Sequence, residues 1–322
     1  MRTKIGLITI FILLILALIY FLFFTKEINL LPPAGQKFTE FSKTTIAGFK
    51  EGQKIWELYA ERGFSEKGET TTFENVKNGM TYENGKAVLK NMKADSVSVS
   101  RRSEEIQASG KVEGQVRLKD EYAGLKTNQL KYMHQSKRAF LSGNVEIKGK
   151  SFTLSAGEME INYEKDLAFI KGSLTLIQPG KAVIGEQAIY NLATKQIEIS
   201  FQVRGVFEKG SAILKEETLA RLKNPEAREA LREKTMLECQ KISLLIDKKD
   251  AQASGKVTVS QNKREAKADQ AEYLDKDETI ILTGKVKMKK ENEWLSCQKI
   301  VVSVKNETFE AVEVETKFRL KK

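Results

Sequence analysis

The chain has 322 residues, enough for one long domain or two ordinary ones, and only four prolines (Pro32, Pro33, Pro179, Pro225). Proline removes a ladder donor, so its scarcity suits a body of many paired strands. The formal charge of +11 fits either a plain basic surface or attraction to an anionic partner, and a single histidine, His134, excludes most His-dependent triads and any multi-His metal site.

Residues 1–4 carry Arg2 and Lys4, and Ile5 to Phe24 are 20 positions without a charge. At 1.5 Å per residue such a helix spans about 30 Å, a bilayer's hydrocarbon core. The segment "TKEINLLPP" that follows offers no small-x-small cleavage site and no lipobox cysteine, so an uncleaved transmembrane helix is expected over 5–24. The positive residues before it keep a short tail (1–4) in the cytoplasm and export the rest. Export argues against nucleic acid as the anionic partner. Residues 25–47 read as a linker.

A β body is expected from residue 48. "GQKIWELYAERG" (52–63) alternates with Trp56, Leu58 and Ala60 on one side, and Asn84-Gly85 signals a tight hairpin turn. From there the chain repeats itself. Gly143 and Gly172 lie 29 residues apart, as do Gly255 and Gly284. Tyr132, Ile161 and Tyr190 are also spaced by 29, and so are Leu244, Tyr273 and Val302. Gly110 precedes Gly143 by 33, which places four extra residues around "DEYAG" (120–124).

Each unit reads as two strands. In "TIILTGKVKM" the residues Ile280, Leu282, Gly284, Val286 and Met288 share a face. In "AKADQAEYL" Ala268 and Ala271 are three apart, so a bulge re-aims that strand. No unit buries its apolar face alone, so the expectation is an elongated stack in which each unit adds a strand to each of two facing sheets.

Between the two runs of units, 208–236 changes character. "SAILKEETLARLKNPEAREALREKTM" has helical spacing, with Asn224-Pro225 as a helix start, and two short helices are expected. The units resume over 237–322. At the end, "FEAVEVETKFRLKK" (309–322) alternates, but Glu313 falls where the ruler expects glycine.

Chemistry is sparse. There is no G-x-S-x-G, Walker A loop or Rossmann fingerprint, and no paired-carboxylate site, so no catalytic residue, metal ligand or cofactor is expected and the protein is not read as an enzyme. Cys239 and Cys297 stand 58 apart in one column. If each period advances one strand, their Cα atoms lie about 9.6 Å apart, beyond disulfide reach, and both thiols stay unpaired.

The anchor, the short linker, the "G-x-x-x-W-x-L-x-A" strand (Gly52, Trp56, Leu58, Ala60) and the "ASGKV"-type units together resemble the LptC family of inner-membrane-anchored periplasmic proteins of lipopolysaccharide transport. The units around 266–286 are similar to the LptA/OstA repeat. The chain thus looks like an LptC-like module (48–207) continued by LptA-like units (237–322). The resemblance implies an all-β, V-shaped β-jellyroll whose open edge holds acyl chains. It implies an inner-membrane ABC transporter of the LptB/LptF/LptG type on one side. On the other it implies an LptA-like bridge protein paired to the C-terminal strand edge, with lipopolysaccharide or a similar glycolipid as cargo.

Burying one CH₂ is favourable by about 0.8 kcal/mol, so a greasy slot carries lipid past water without any reaction. The expected lining is Trp56 and Leu58 from the first strand, then Leu141, Val145, Ile170, Leu174, Ile199 and Val203, with Ile161 and Tyr190 opposite. The column glycines are expected to face this interior, either leaving room for a chain or allowing tight sheet contact. Phe201 occupies the glycine column and is expected to narrow the slot. The alternative is a structural β-stack scaffold that is fully packed and binds no lipid.

Overall fold

The computed structural model describes residues 38–66, 69–102, 104–208, 233–248 and 250–317. The expected transmembrane helix (5–24) and nearly all of the helical insertion (209–232) lie outside these residues. Among the described residues no helix is long and apolar enough to cross a membrane. The backbone divides into two compact units, residues 1–39 and residues 40–322.

Eighteen strands follow in order: β1 (Phe38–Lys50), β2 (Gln53–Glu66), β3 (Thr70–Glu83), β4 (Lys86–Ser100), β5 (Glu105–Leu118), β6 (Glu121–Met133), β7 (Arg138–Lys148), β8 (Thr153–Asn162), β9 (Leu167–Gln178), β10 (Lys181–Asn191), β11 (Gln196–Phe207), β12 (Thr235–Leu245), β13 (Ala251–Gln261), β14 (Arg264–Leu274), β15 (Thr279–Lys290), β16 (Glu293–Ser303), β17 (Thr308–Val312) and β18 (Glu315–Lys317). Every strand from β2 to β16 pairs antiparallel with the next, β1 pairs with β2, and β18 continues beside β16. The two expected modules therefore form one uninterrupted sheet, joined where β11 pairs with β12. The linker is shorter than expected, because Phe38–Lys50 is strand, and the insertion ends before Thr235. Asn84 (φ 48°) and Gly85 (φ 73°) make the tight turn between β3 and β4.

The 29-residue period adds two strands to a single sheet, where one strand to each of two sheets was expected. The reason is a corner in the middle of each strand. In β7, Ser142 pairs with Glu158 and Val145 with Ala156, three steps against two. Gly143 (φ 76°) and Asn144 (φ 53°) supply the extra residue, both left-handed. The same left-handed pair recurs at Gly110-Lys111, Gly255-Lys256 and Gly284-Lys285. Inward residues lie on both sides of the corner: Leu141 and Met159 below it, Val145 and Ala156 above it, all buried. Among the described residues strands are all that can cover them, so the two halves of the bent sheet face each other as a lower and an upper wall.

Columns of inward residues run across the register. On the lower wall they pass through Tyr132, Ala139, Ile161, Ala168, Tyr190, Ile197 and Leu244. On the upper wall they pass through Leu125, Ile147, Leu154, Leu176, Val183 and Gly205 to Leu237. Cys239 and Cys297 are both free and buried. Four strand steps separate them, about 19 Å, twice the expected spacing.

The column glycines do not face the interior. A Cβ on Gly143 would strike the amide of Asn128, and one on Gly284 the carboxylate of Asp269, and both neighbours are exposed. What these positions need is the left-handed backbone, which glycine adopts without penalty. Phe201 meets the same need at φ 64°, with 55% of its surface exposed, so it does not narrow any slot. A left-handed non-glycine residue is strained by roughly 1–2 kcal/mol. Phe201→Gly is expected to stabilise the fold by about 0.5–1 kcal/mol once glycine's extra chain entropy is counted. Urea unfolding reads this out, and a lowered midpoint would refute the strain.

The last unit explains the irregularity at Glu313. Phe309 and Ala311 face Val302 and Ile300, whereas Thr316 faces Leu295. The corner between them is one residue shorter than in β15 and holds a single left-handed residue, Glu313 (φ 57°).

Candidate functional site

The walls are shut along the first part of the sheet. Of the expected lining residues, Leu58, Leu141, Val145, Ile161, Ile170, Leu174, Ile199 and Val203 are at most 2% exposed, and Tyr190 is 6% exposed. Trp56 is partly buried, lying over the Gly48 backbone with its ring 6.3 Å from that of Phe73. All ten belong to or pack against one continuous core. Phe201 alone stands apart from it.

The rims of the two walls also touch here. The Tyr132 hydroxyl donates to Glu83 Oε2 at 3.2 Å, and Lys137 Nζ lies 3.1 Å from Glu83 Oε1. Burial, reinforced by the Glu83 charge, raises the Tyr132 phenol well above its usual range. Further along, Lys119 meets Asp166 at 3.3 Å, and Arg117 lies 5.8 Å from the Tyr163 ring centre. Lys195 bridges Glu121 and Asp247. Phe152 packs edge-on against Tyr190, whose phenol burial pushes up to about 12. The last clasp is Gln178 Nε2 donating to the Ile246 carbonyl at 3.1 Å.

The 33-residue step has a role in this closure. Its four extra residues lengthen the β5–β6 hairpin, and that hairpin carries Arg117, Lys119 and Glu121 across to the lower wall.

Beyond β12 the walls part. A groove of about 530 Å³ opens between Leu237, Val259, Ala266, Met288 and Leu295 above and Leu244, Ala253, Ala271 and Leu282 below. That is within the range of small-molecule sites. The core divides at the same place: the main cluster ends at Val257, and a second one forms from Ala268, Leu282, Val286, Cys297 and Ile300. Phe207 stops the inner end of the groove, its ring resting on Gly205, where a Cβ would come within 3.1 Å. At the other end β17 leaves Phe309 52% exposed.

Alanine makes the gap. In register with the corner, Leu141, Leu154 and Met159 of β7–β8 correspond to Ala253, Ala266 and Ala271 of β13–β14. Ala251 and Ala268 complete a face with five alanines. The sequence reading places the slot in the larger residues of β2 and β7–β11 and misses this one. The signal is in the sequence, since "AQASGKV" and "AKADQAEYL" are rich in alanine, but their spacing is that of the other repeats.

A family model described as the LptA/(LptD N-terminal domain) LPS transport protein matches residues 124–308, which include the whole groove. No curated protein matches the sequence. Among solved structures, one similar chain is LptH of Pseudomonas aeruginosa, described as the LptA-homologous periplasmic component of the conserved lipopolysaccharide transport device. The identity is 9%, the TM-score is 0.26, and the match covers 52% of this chain and 95% of that one.

Proposed function

The chain belongs to the LptA and LptD N-terminal domain family of lipopolysaccharide transport proteins, and from that premise we propose that it carries lipopolysaccharide or a similar glycolipid in the groove of β12–β16. The observation that carries this reading is an apolar groove, open along its mouth, in an otherwise filled sheet. It is large enough for alkyl chain and lined by alanine, leucine and valine, so chains gain burial there while the sugar stays in water. No bond is made or broken, and the protein is not an enzyme.

In this proposal Ile5–Phe24 anchors the chain in the inner membrane, with residues 1–4 cytoplasmic and the β body in the periplasm. An ABC transporter of the LptB/LptF/LptG type supplies the lipid. The filled strands up to β11 act as a strut rather than a conduit, which restricts the scaffold alternative to that part of the sheet. Cargo therefore enters from the side, beyond Phe207. Photo-crosslinkers at Ala253 and Leu282 are expected to give lipid adducts that depend on transporter ATP hydrolysis, and those at Val145 and Leu174 none. Adducts at Val145 would show that the strut opens; protein adducts alone at all four sites would favour the scaffold.

The C-terminal edge is proposed to pair with an LptA-like bridge protein and so continue the groove. Its inward Phe309 is half exposed, and Val312 and Val314 are 53% and 49% exposed. Phe309→Asp is expected to weaken that association at least tenfold, measured by titration with the partner, without lowering the melting temperature. Unchanged affinity would rule out this edge.

A further inference from the structure

The mouth of the groove is electrically lopsided. Along the upper rim the inward row runs Lys181, Phe207, Thr235, Gln261, Arg264, Lys290 and Glu293, each paired with the next or bonded across the register. All of them line the groove. Arg264 and Lys290 are direct cross-strand partners, and both are cations. Like charges placed opposite each other on neighbouring strands destabilise a sheet. No ion pair among the described residues engages Arg264.

The lower rim has the opposite character. The hydroxyl of Tyr273 is buried without a hydrogen-bond partner, and the carboxylates of Asp250, Asp275 and Glu278 surround it closely enough to act on its ionisation. Asp250 Oδ1 accepts the backbone N–H of Asp275 at 2.8 Å. Among the described residues of the same turns, the cations Lys248 and Lys276 are exposed. An anion at the mouth is thus drawn to one rim and repelled by the other.

We propose that Arg264 and Lys290 form a binding site for the phosphate or carboxylate group of the amphiphile whose chains occupy the groove. The inference rests on the groove reading and adds a subsite and an orientation to it. Adjacent strands set the two backbones about 4.8 Å apart, a spacing from which both long side chains can reach one phosphate. Ala266 and Met288 lie two residues further in on the same strands, so a bound headgroup positions its chains directly above the apolar floor.

The test uses the full chain in lipid nanodiscs with photoreactive dodecyl probes that differ only in headgroup. The readout is adduct yield in wild type relative to variant, which cancels each probe's partition into the nanodisc. Arg264→Glu with Lys290→Glu is expected to lower dodecyl phosphate labelling at least fivefold and to leave dodecyl maltoside labelling unchanged. Arg264→Gln with Lys290→Gln should give an intermediate loss, and Lys248→Glu none. Inorganic phosphate at the probe's concentration should not displace dodecyl phosphate; if it does, the site takes a free ion and the proposal falls. Equal labelling of wild type and variant by dodecyl phosphate also overturns it. If neither probe labels the wild type, the groove reading itself fails.

Discussion

Replacing Ala253 and Ala271 together with leucine is expected to abolish alkyl-chain binding while the protein still folds. The two residues are cross-strand partners on the lower wall of the groove. Their leucine counterparts would fill the gap as Leu141 and Met159 do in β7–β8. Excluding about four methylenes of a bound chain removes roughly 3 kcal/mol, a loss of about a hundredfold or more in affinity. Titration with a fluorescent fatty-acyl probe measures it, and thermal unfolding provides the control. The added side chains enter open space rather than a packed core, so the melting temperature should hold or rise. Retained binding in a folded double variant would move the lipid site away from this groove.

Leu174→Ala should do the reverse. Leu174 is fully buried, in the filled part of the sheet. Truncation there leaves a cavity that close packing cannot readily collapse, and the expected destabilisation is about 2–5 kcal/mol. Lipid labelling at Ala253 in the surviving folded protein should not change. Leu282→Ala, by contrast, trims a residue already beside open space, so its effect on stability should be smaller and its effect on chain binding larger. Equal destabilisation by the two substitutions, measured in urea, would mean that strut and groove are packed alike.

Together these outcomes separate a closed section from an open one within one sheet, and two sequence features set the boundary. Where hairpins are long, as in β5–β6, their tips reach the facing rim and clasp it. Where the inward faces turn to alanine, as in β13–β14, nothing among the described residues brings the walls together.

Much of this fold could be read from one sequence because its signals are local. The two-residue alternation marks the strands of the repeat, and the 29-residue step picks out Tyr132, Ile161 and Tyr190, then Leu244, Tyr273 and Val302, which the register joins into one inward column. The corner was visible as the three-residue spacing of Ala268 and Ala271. Local signals do not say what lies opposite a residue. Whether a corner joins two sheets or bends one depends on which strands pair, so the period was assigned one strand per wall instead of two strands in a bent sheet. The glycines were placed inside for the same reason, since alternation fails across two left-handed residues. The location of the hollow depended on tertiary structure most of all. Leu141 and Leu174 are apolar and inward in either case. They are core because Arg117, Lys119, Phe152 and Gln178 bring the far rim down upon them, whereas Leu282 lines an opening because no described rim contact closes above it. A residue's sidedness is set by its own backbone; its access to a ligand is set by a wall that the chain builds dozens of residues away.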